Sequence, residues 1–241
     1  ADANGHHWNN WHPTNGGGLV NSGEHLAGLV NAAGADTGIR MTITGGFEVN
    51  GKAGLGGLLS PSPALLGELA VETATQDFFY SHSNNDDLPG SFMLAGLDPA
   101  LAYEFTLLGS RSTAEARTTR YTIAGGTSVQ ADLQTSGSNI GTPTGDGNND
   151  EVATISGVRP DAHGQVFIDL NRIQGSFAYI NAMRITAATP VTAYQGWQAD
   201  HFTPAELAQP ALEATLWGND ADPDGDGRTN LFEYAHGTDP R

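Results

Sequence analysis

Glycine and proline recur so often along this chain that long regular elements are excluded. Of its 241 residues, 32 are glycine and 12 are proline, and both residue types break helices and interrupt strands. The apolar residues, 38% of the chain, must therefore be buried by many short elements joined by turns. This pattern excludes long helical bundles and is typical of an all-β sandwich or barrel.

Eight segments carry the residue types, and several of them the period-two alternation, of short strands. They are residues 39–44, 91–97, 103–109, 121–124, 129–135, 152–156, 166–170 and 177–185. A weak helical stripe over residues 63–77 predicts one helix among them. Strands in this number predict a mainly β fold, with a jelly-roll β-sandwich over residues 1–187.

The character of the sequence changes after Pro190. Thr203-Pro204-Ala205-Glu206 has the pattern of a capping box, with Thr at the N-cap, Pro at the first helical position and Glu three residues after the cap. A short helix is predicted from Asn230 to His236, where Gly237 stops it. Residues 188–241 are therefore predicted to form a small helical domain. It is predicted to be EF-hand-like, because it contains the calcium-loop pattern described next.

The segment from residue 222 to residue 233 has an oxygen donor at every ligand position of a twelve-residue calcium loop. Three closely spaced carboxylates repel one another unless a hard cation neutralises them. A Ca²⁺ site is predicted here, and the alternative is a solvated acidic loop. The predicted ligands are Asp222, Asp224, Asp226, the backbone carbonyl of Arg228, Asn230 and Glu233, with Gly227 at the sharp turn.

With Trp197 and the run from Glu233 to Pro240, this loop resembles the calcium-binding tail modules of secreted bacterial proteins. Their loops are similar to thrombospondin type 3 and dockerin repeats, although a dockerin carries two such loops and this sequence has one. The resemblance implies a secreted or cell-surface protein with a structural calcium ion.

Residues 177–185 are similar to the closing strand of malectin-like and galactose-binding-like jelly rolls, and residues 91–187 fit that scheme in strand order. The turn at residues 94–99 also resembles one in fibronectin type III and galactose-binding-like modules, where a Tyr hydroxyl returns to the turn backbone. Tyr103 occupies the place of that Tyr. Such folds mostly bind carbohydrate, so the resemblance implies a carbohydrate-binding sandwich.

The N-terminal run of Trp8, Asn9, Asn10 and Trp11 suits a glycan site. Indole faces stack on sugar rings, and amides donate to and accept from hydroxyl groups. Neighbouring histidines could instead hold a transition metal, but alanine at positions 1 and 3 argues against the known N-terminal copper motifs. A third interpretation is a Trp-anchored segment that packs on the edge of the sandwich.

Three of the ten cationic side chains, Arg111, Arg117 and Arg120, lie within ten residues. They could clamp a carboxylate or sulfate of an acidic glycan through their forked donors. The alternative is pairing with local acids such as Glu104 and Glu115. The oxygen-rich stretch 146–151 could hold a second cation, but it lacks the glycine and the glutamate of the calcium-loop pattern.

The charge balance restricts the partners of the chain. Its formal net charge is −17, with one lysine, Lys52, which argues against sequence-independent binding to nucleic acid and against adhesion to anionic membrane surfaces. The absence of cysteine removes disulfides and thiolate chemistry, and no apolar run approaches the ~18 residues of a membrane span. The start at Ala1 suits a mature secreted protein or a trimmed chain.

No motif of a nucleophile elbow, a metalloprotease helix or a phosphate-binding loop occurs in the sequence. We therefore expect a secreted calcium-binding protein whose sandwich binds a polysaccharide or cell-surface glycan without catalysis. One alternative is a calcium-stabilised structural surface protein that self-associates. The other is a carbohydrate-active hydrolase or lyase that uses two carboxylates in a cleft.

Overall fold

The chain divides into two compact units, Ala1–Ala188 and Thr189–Arg241. The structure, a computed structural model, describes residues 2, 4–11, 18–50, 56–82, 89–142, 145–187 and 193–241. Within these ranges all strands belong to the first unit, and the second unit is helical. None of the helices described is long and apolar enough to cross a membrane.

The strands of the first unit form three sheets, of seven, four and three strands. The neighbour orders are β10-β9-β8-β12-β6-β3-β2, β1-β4-β5-β13 and β11-β7-β14, and every pairing is antiparallel. The strands are β1 (Gly18–Val20), β2 (His25–Leu26), β3 (Arg40–Ile43), β4 (Phe47–Asn50), β5 (Phe78–His82), β6 (Gly90–Ala95), β7 (Tyr103–Leu108), β8 (Arg117–Ala124), β9 (Ser128–Ile140), β10 (Gly145–Gly147), β11 (Ala153–Val158), β12 (Gln165–Gln174), β13 (Phe177–Ile180) and β14 (Ala182–Ala187).

Residues from all three sheets share one apolar core. On β8, Tyr121 and Ile123 are fully buried while the residues between and beside them are partly exposed, as the period of two along a strand requires. Phe105 of β7 and Phe47 of β4 reach the same core from the smaller sheets. The predicted mainly β sandwich is confirmed.

One extended segment joins the two smaller sheets. Its first part, β13, pairs with β5, and its second part, β14, pairs with β7. Asn181 lies at the junction, where its Nδ2 donates to the carbonyl of Thr75 at 2.8 Å and its Oδ1 accepts from the N–H of Ser110 at 2.7 Å. The strand predicted over residues 177–185 is therefore two strands that belong to different sheets.

The single helix predicted over residues 63–77 is wrong. The structure has α1 (Pro63–Leu66), a 3₁₀ turn (Gly67–Leu69) and α2 (Glu72–Thr75). Gly67 has φ of 56° and ψ of −130°, which no helix accommodates, and Ala70 leaves the helical region with ψ of 60°. These two residues break the predicted helix into short turns.

The second unit contains α3 (Ala193–His201), α4 (Pro204–Leu207), a 3₁₀ turn (Pro210–Leu212), a π-helical turn (Glu213–Trp217) and α5 (Asn230–His236). The predicted capping box is confirmed, because the N–H of Thr203 donates to Glu206 Oε2 at 2.8 Å and the N–H of Glu206 donates to Thr203 Oγ1 at 3.3 Å. The bounds of α5 also match the prediction, and it ends at Gly237 with φ of 67°.

Candidate functional site

A pocket of about 710 Å³ opens in the first unit, within the size range of small-ligand sites. Its walls come from the N-terminal segment, from β3, from β14 and from the turns between Glu68 and Phe78. The predicted glycan residues Trp8, Asn9, Asn10 and Trp11 all line it, together with Leu29, Asn31, Met41, Gln76, Met183, Arg184 and Ile185 among others. The seven residues from Leu29 to Ile185 in this list were not predicted, because they lie far in the sequence from the N-terminal segment.

Hydrogen bonds hold the N-terminal segment beside residues 30–32. The N–H of His7 donates to the carbonyl of Ala32 at 2.9 Å. The amide of Asn9 donates to the carbonyl of Val30 at 2.8 Å and accepts from its N–H at 2.9 Å. Asn9 therefore spends its hydrogen-bonding groups on the chain itself and positions the segment, whereas Asn10 is exposed.

The two tryptophans of this segment are half-buried and fixed by different contacts. The ring of Trp11 packs against Phe79 and Phe92, with centroid distances of 5.7 and 6.1 Å. Trp8 donates from Nε1 to Asp2 Oδ2 at 3.0 Å, and this bond is the main cause of the lowered pKa of Asp2. Each indole thus holds the segment in place through these contacts and also lines the pocket.

An ion pair between Arg184 and Glu68 lies in the lining of the pocket. Arg184 Nη1 is 2.8 Å from Glu68 Oε2, and the two charges compensate each other. The remaining lining consists of aromatic rings, aliphatic side chains and polar groups, which include the amides of Asn31 and Gln76, the imidazoles of His6 and His7 and the carboxyl group of Asp77. This chemistry suits an uncharged ligand that has both an apolar face and polar edges.

The structure does not bring Arg117 and Arg120 together. They are three residues apart on β8, so their side chains point to opposite faces of the sheet. Arg117 is 9% exposed; it donates to Glu115 Oε2 from Nε at 3.0 Å and to the hydroxyl of Tyr179. Arg120 makes two parallel bonds to Asp132, at 2.7 and 2.8 Å. Both guanidinium groups are engaged by local partners.

Arg111 lies apart from this pair, with its guanidinium carbon 5.5 Å from the centroid of the Phe78 ring. Its Nη1 is buried and has no hydrogen-bond partner among the described residues. Of the three arginines predicted to bind an anion, it alone has no carboxylate partner within the described ranges.

In the oxygen-rich stretch 146–151, the side chains of Asn148 and Asp150 form hydrogen bonds within the protein. Asn148 is buried; its Nδ2 donates to the carbonyls of Gly109 and Glu151 at 3.0 and 2.9 Å. Asp150 Oδ2 accepts from the hydroxyl of Thr142 at 2.5 Å. Among the described residues, the stretch contains no group of three acidic or histidine side chains able to converge on one ion.

The loop between residues 222 and 226 brings three carboxylates together. One oxygen from each of Asp222, Asp224 and Asp226 lies within 4.8 Å of the others. The N–H of Gly227 donates to Asp222 Oδ2 at 3.0 Å and that of Arg228 donates to Asp226 Oδ1 at 2.8 Å. Backbone N–H groups thus fold the loop around its acidic side chains.

Glu233, on the first turn of α5, is the buried acid of this region. Its side chain is 1% exposed and its Oε2 makes no hydrogen bond among the described residues. Burial raises the pKa of Glu233, and the charges of Asp224 and Asp226 raise it further. A buried carboxylate that faces further carboxylates fits a cation site, because a bound cation would compensate all of these charges.

Asn230 connects the loop to the preceding turn. Its Nδ2 donates to the carbonyls of Leu216 and Gly218 at 2.8 and 2.9 Å, while its buried Oδ1 has no partner among the described residues. The side chain therefore braces the start of α5 through its nitrogen and keeps an oxygen available for a ligand.

No family model matches the sequence, and no curated protein matches it. Several solved structures are similar in fold. TmCBM61, solved in complex with β-1,4-galactotriose, is 11% identical, with a TM-score of 0.30 over 59% of this chain and 88% of that one. The family 32 module of NanJ from C. perfringens, in complex with galactose, is 14% identical, with a TM-score of 0.28 over 60% of this chain and 92% of that one. The enzymatically active domain of tailspike protein 4 of bacteriophage CBA120 is 9% identical, with a TM-score of 0.29 over 62% of this chain and 19% of that one.

Proposed function

We propose that this chain is an extracellular calcium-binding protein whose sandwich binds a polysaccharide without catalysis. One observation carries the binding function: the pocket places Trp8, Asn10 and Trp11 along one wall. These residues supply the two kinds of contact that sugars need, which are flat aromatic surface and amide groups.

The proposed ligand is a neutral glycan. The C–H face of a pyranose ring packs on an indole, and its hydroxyls exchange hydrogen bonds with the amides of Asn10 and Gln76. Asn31 can add a bond from its Nδ2, since its Oδ1 already accepts from the N–H groups of Ala33 and Ala35. The charge of Arg184 is already compensated by Glu68. A chain with a net charge of −17 also repels polyanions at long range.

The proposed calcium site occupies the loop of the second unit. Asp222, Asp224 and Asp226 would supply side-chain oxygens, Arg228 its carbonyl, Asn230 its Oδ1, and Glu233 the carboxylate that closes the site. Bound Ca²⁺ would neutralise the negative charges of these carboxylates. Extracellular modules of this kind bind calcium with Kd of about 0.1–1 mM, and such a site fills where calcium is millimolar, which supports an extracellular location.

Retention on insoluble neutral polysaccharides tests the binding function. The wild type, in 5 mM calcium, is applied to galactan, xylan, mannan and cellulose. We expect retention on at least one of them and weaker retention of Trp8→Ala and Asn10→Ala. Phe167→Ala is the matched control, because Phe167 is 39% exposed and does not line the pocket. A wild type that none of the four polymers retains would contradict the proposal.

A calcium-stabilised protein that self-associates is the second candidate. It is favoured by two large apolar side chains of β12, Phe167 and Ile173, which are 39% and 46% exposed. Light scattering during a calcium titration tests it. Particles that grow with calcium and disappear with chelator support assembly, and a constant monomer mass contradicts it.

A further inference from the structure

The four-stranded sheet carries an aromatic cluster that shares one residue, Phe78, with the lining of the proposed glycan pocket. Phe78 and Tyr80 of β5 contact Phe177 and Tyr179 of β13, with ring centroids 5.1 to 6.2 Å apart. Tyr80 and Phe177 are partly exposed, whereas Phe78 and Tyr179 are buried. The cluster therefore presents aromatic surface to a ligand above a rigid base.

Two guanidinium groups lie over these rings. Arg111 is 5.5 Å from the centroid of Phe78, and Arg117 is 4.4 Å from that of Phe177. The charge of Arg111 also acts on Tyr80 and Tyr179, since it opposes the burial that raises the pKa of both hydroxyls. Arg111 and Arg117 are therefore in contact with the aromatic cluster.

The acids around the cluster are already engaged. Glu115 binds Arg117. Glu48 accepts from the hydroxyl of Tyr80 at 2.6 Å and lies 2.5 Å from Nε2 of His82. Within the described parts of the chain, Arg111 is the cation of this cluster that lacks a carboxylate. A partly buried, unpaired guanidinium is unfavourable, and a ligand anion would remove that cost.

A glycine keeps Arg111 in place. Gly56 has φ of 102°, and a Cβ at this position would lie 1.8 Å from Arg111 Nη1. Any side chain at residue 56 would therefore be strained and would also displace the guanidinium. The buried Nη1 therefore packs against the backbone at Gly56, and a ligand would have to pair with the Nη2 and Nε donors.

We infer that Arg111 binds the carboxylate of an acidic sugar whose ring packs on Tyr80 and Phe177. The planar guanidinium matches a carboxylate with two parallel hydrogen bonds. The ligand is a short oligosaccharide with one acidic residue, because the net charge of −17 repels a polyanion. The three residues proposed to contact this ligand, Arg111, Tyr80 and Phe177, do not line the proposed neutral-glycan pocket.

Calorimetric titration with three trisaccharides tests the site. One carries a single terminal galacturonic acid, the second is its methyl ester, and the third carries a sulfate ester in place of the carboxylate. We expect the acid to bind about tenfold more tightly than its methyl ester, because a hydrogen bond between charged groups replaces a neutral one. Arg111→Gln should remove this preference. Arg120→Gln is the matched control and should keep it, because Arg120 is paired with Asp132.

Equal binding of the acid and its methyl ester by the wild type would overturn the inference. A preference for the sulfate ester that Arg111→Gln abolishes would overturn the carboxylate assignment. If Arg111→Gln fails to fold, the Nε–H signal of Arg111 in the NMR spectrum of the wild type serves instead, and it should shift with the acid and not with the ester. Loss of binding to neutral polysaccharides would leave this result unaffected, so the two proposals fail separately.

Discussion

The backbone N–H of Asp98 donates a hydrogen bond of 2.8 Å to the hydroxyl of Tyr103. The bond ties the turn before β7 to the first residue of that strand. Tyr103 is 6% exposed, so the ring is part of the core while its hydroxyl satisfies the turn. The return of a Tyr hydroxyl to this turn was predicted from the sequence, and it is confirmed.

Removal of this hydroxyl should destabilise the sandwich. Tyr103→Phe leaves the N–H of Asp98 without its partner, at a cost of about 1–2 kcal/mol. The free energy of unfolding in urea measures the effect. Tyr194→Phe is the control, because the buried hydroxyl of Tyr194 has no partner among the described residues. A loss of stability in the control as large as that in Tyr103→Phe would contradict this account.

Calcium should stabilise the second unit through the loop at residues 222–233. At a calcium concentration 100 times the Kd, binding adds about 2.7 kcal/mol to the free energy of unfolding. Asp222→Ala and Glu233→Gln should abolish this increase, which thermal unfolding with calcium and with chelator measures. Asp239→Asn is the control, since Asp239 is 70% exposed and lies beside His201. A wild type with the same melting temperature under both conditions would exclude the site.

Two neighbouring asparagines should behave differently on substitution. Asn9→Ala removes both hydrogen bonds to Val30 and should cost about 1 kcal/mol of stability. Asn10→Ala should leave stability unchanged, because Asn10 is exposed, and should weaken retention on polysaccharide. Urea unfolding and the retention assay separate the two effects. If Asn10→Ala destabilises the fold as much as Asn9→Ala does, Asn10 is structural.

The two arginines of β8 should contribute unequally to stability. Arg120→Gln breaks a largely exposed ion pair with Asp132 and should cost less than about 1 kcal/mol. Arg117→Gln removes a buried cation from the hydroxyl of Tyr179 and from Glu115, and should cost about 3 kcal/mol. Parallel urea unfolding curves give both values, and equal losses would contradict the assignment of Arg117 to the core.

Acid should weaken the capping box at the start of α4. Arg241 and the bonds from Thr203 lower the pKa of Glu206 to about 2. Since this pKa is lower in the folded state, the contribution of Glu206 is complete above its unfolded pKa of about 4.3 and is lost as the pH falls towards 2. Helical circular dichroism between pH 5 and 2 should fall less in Glu206→Gln than in the wild type. Identical acid transitions in the two proteins would exclude this contribution.

Local sequence patterns predicted most of the large sheet. Strong alternation located β12, although the strand extends to Gln174 where the apolar pattern ends. β5 was missed, because its two buried residues, Phe78 and Ser81, are three positions apart and the strand therefore does not alternate. The helix predicted over residues 63–77 failed because Gly67 takes a φ of 56°, which glycine permits, and Ala70 takes a ψ of 60°.

The candidate sites could be predicted where their residues are close in the sequence, and not where the fold brings distant residues together. The calcium loop was visible because its proposed ligands lie within one short segment, and Asp222, Asp224 and Asp226 do converge. The aromatic wall of the pocket was predicted from residues 8–11, but Met41, Gln76 and Met183 meet that wall only through the fold. No pattern in the sequence predicts that these residues line the same pocket.

The segment from β13 through Asn181 to β14 has a consequence for how this chain can change in length. Its first half is in register with β5 and its second half with β7, while Asn181 is bonded to two further segments. One inserted or deleted residue would shift an entire half and turn its core side chains outward. Homologues should therefore keep the length of residues 177–187 unchanged and accumulate their insertions in the turns on either side.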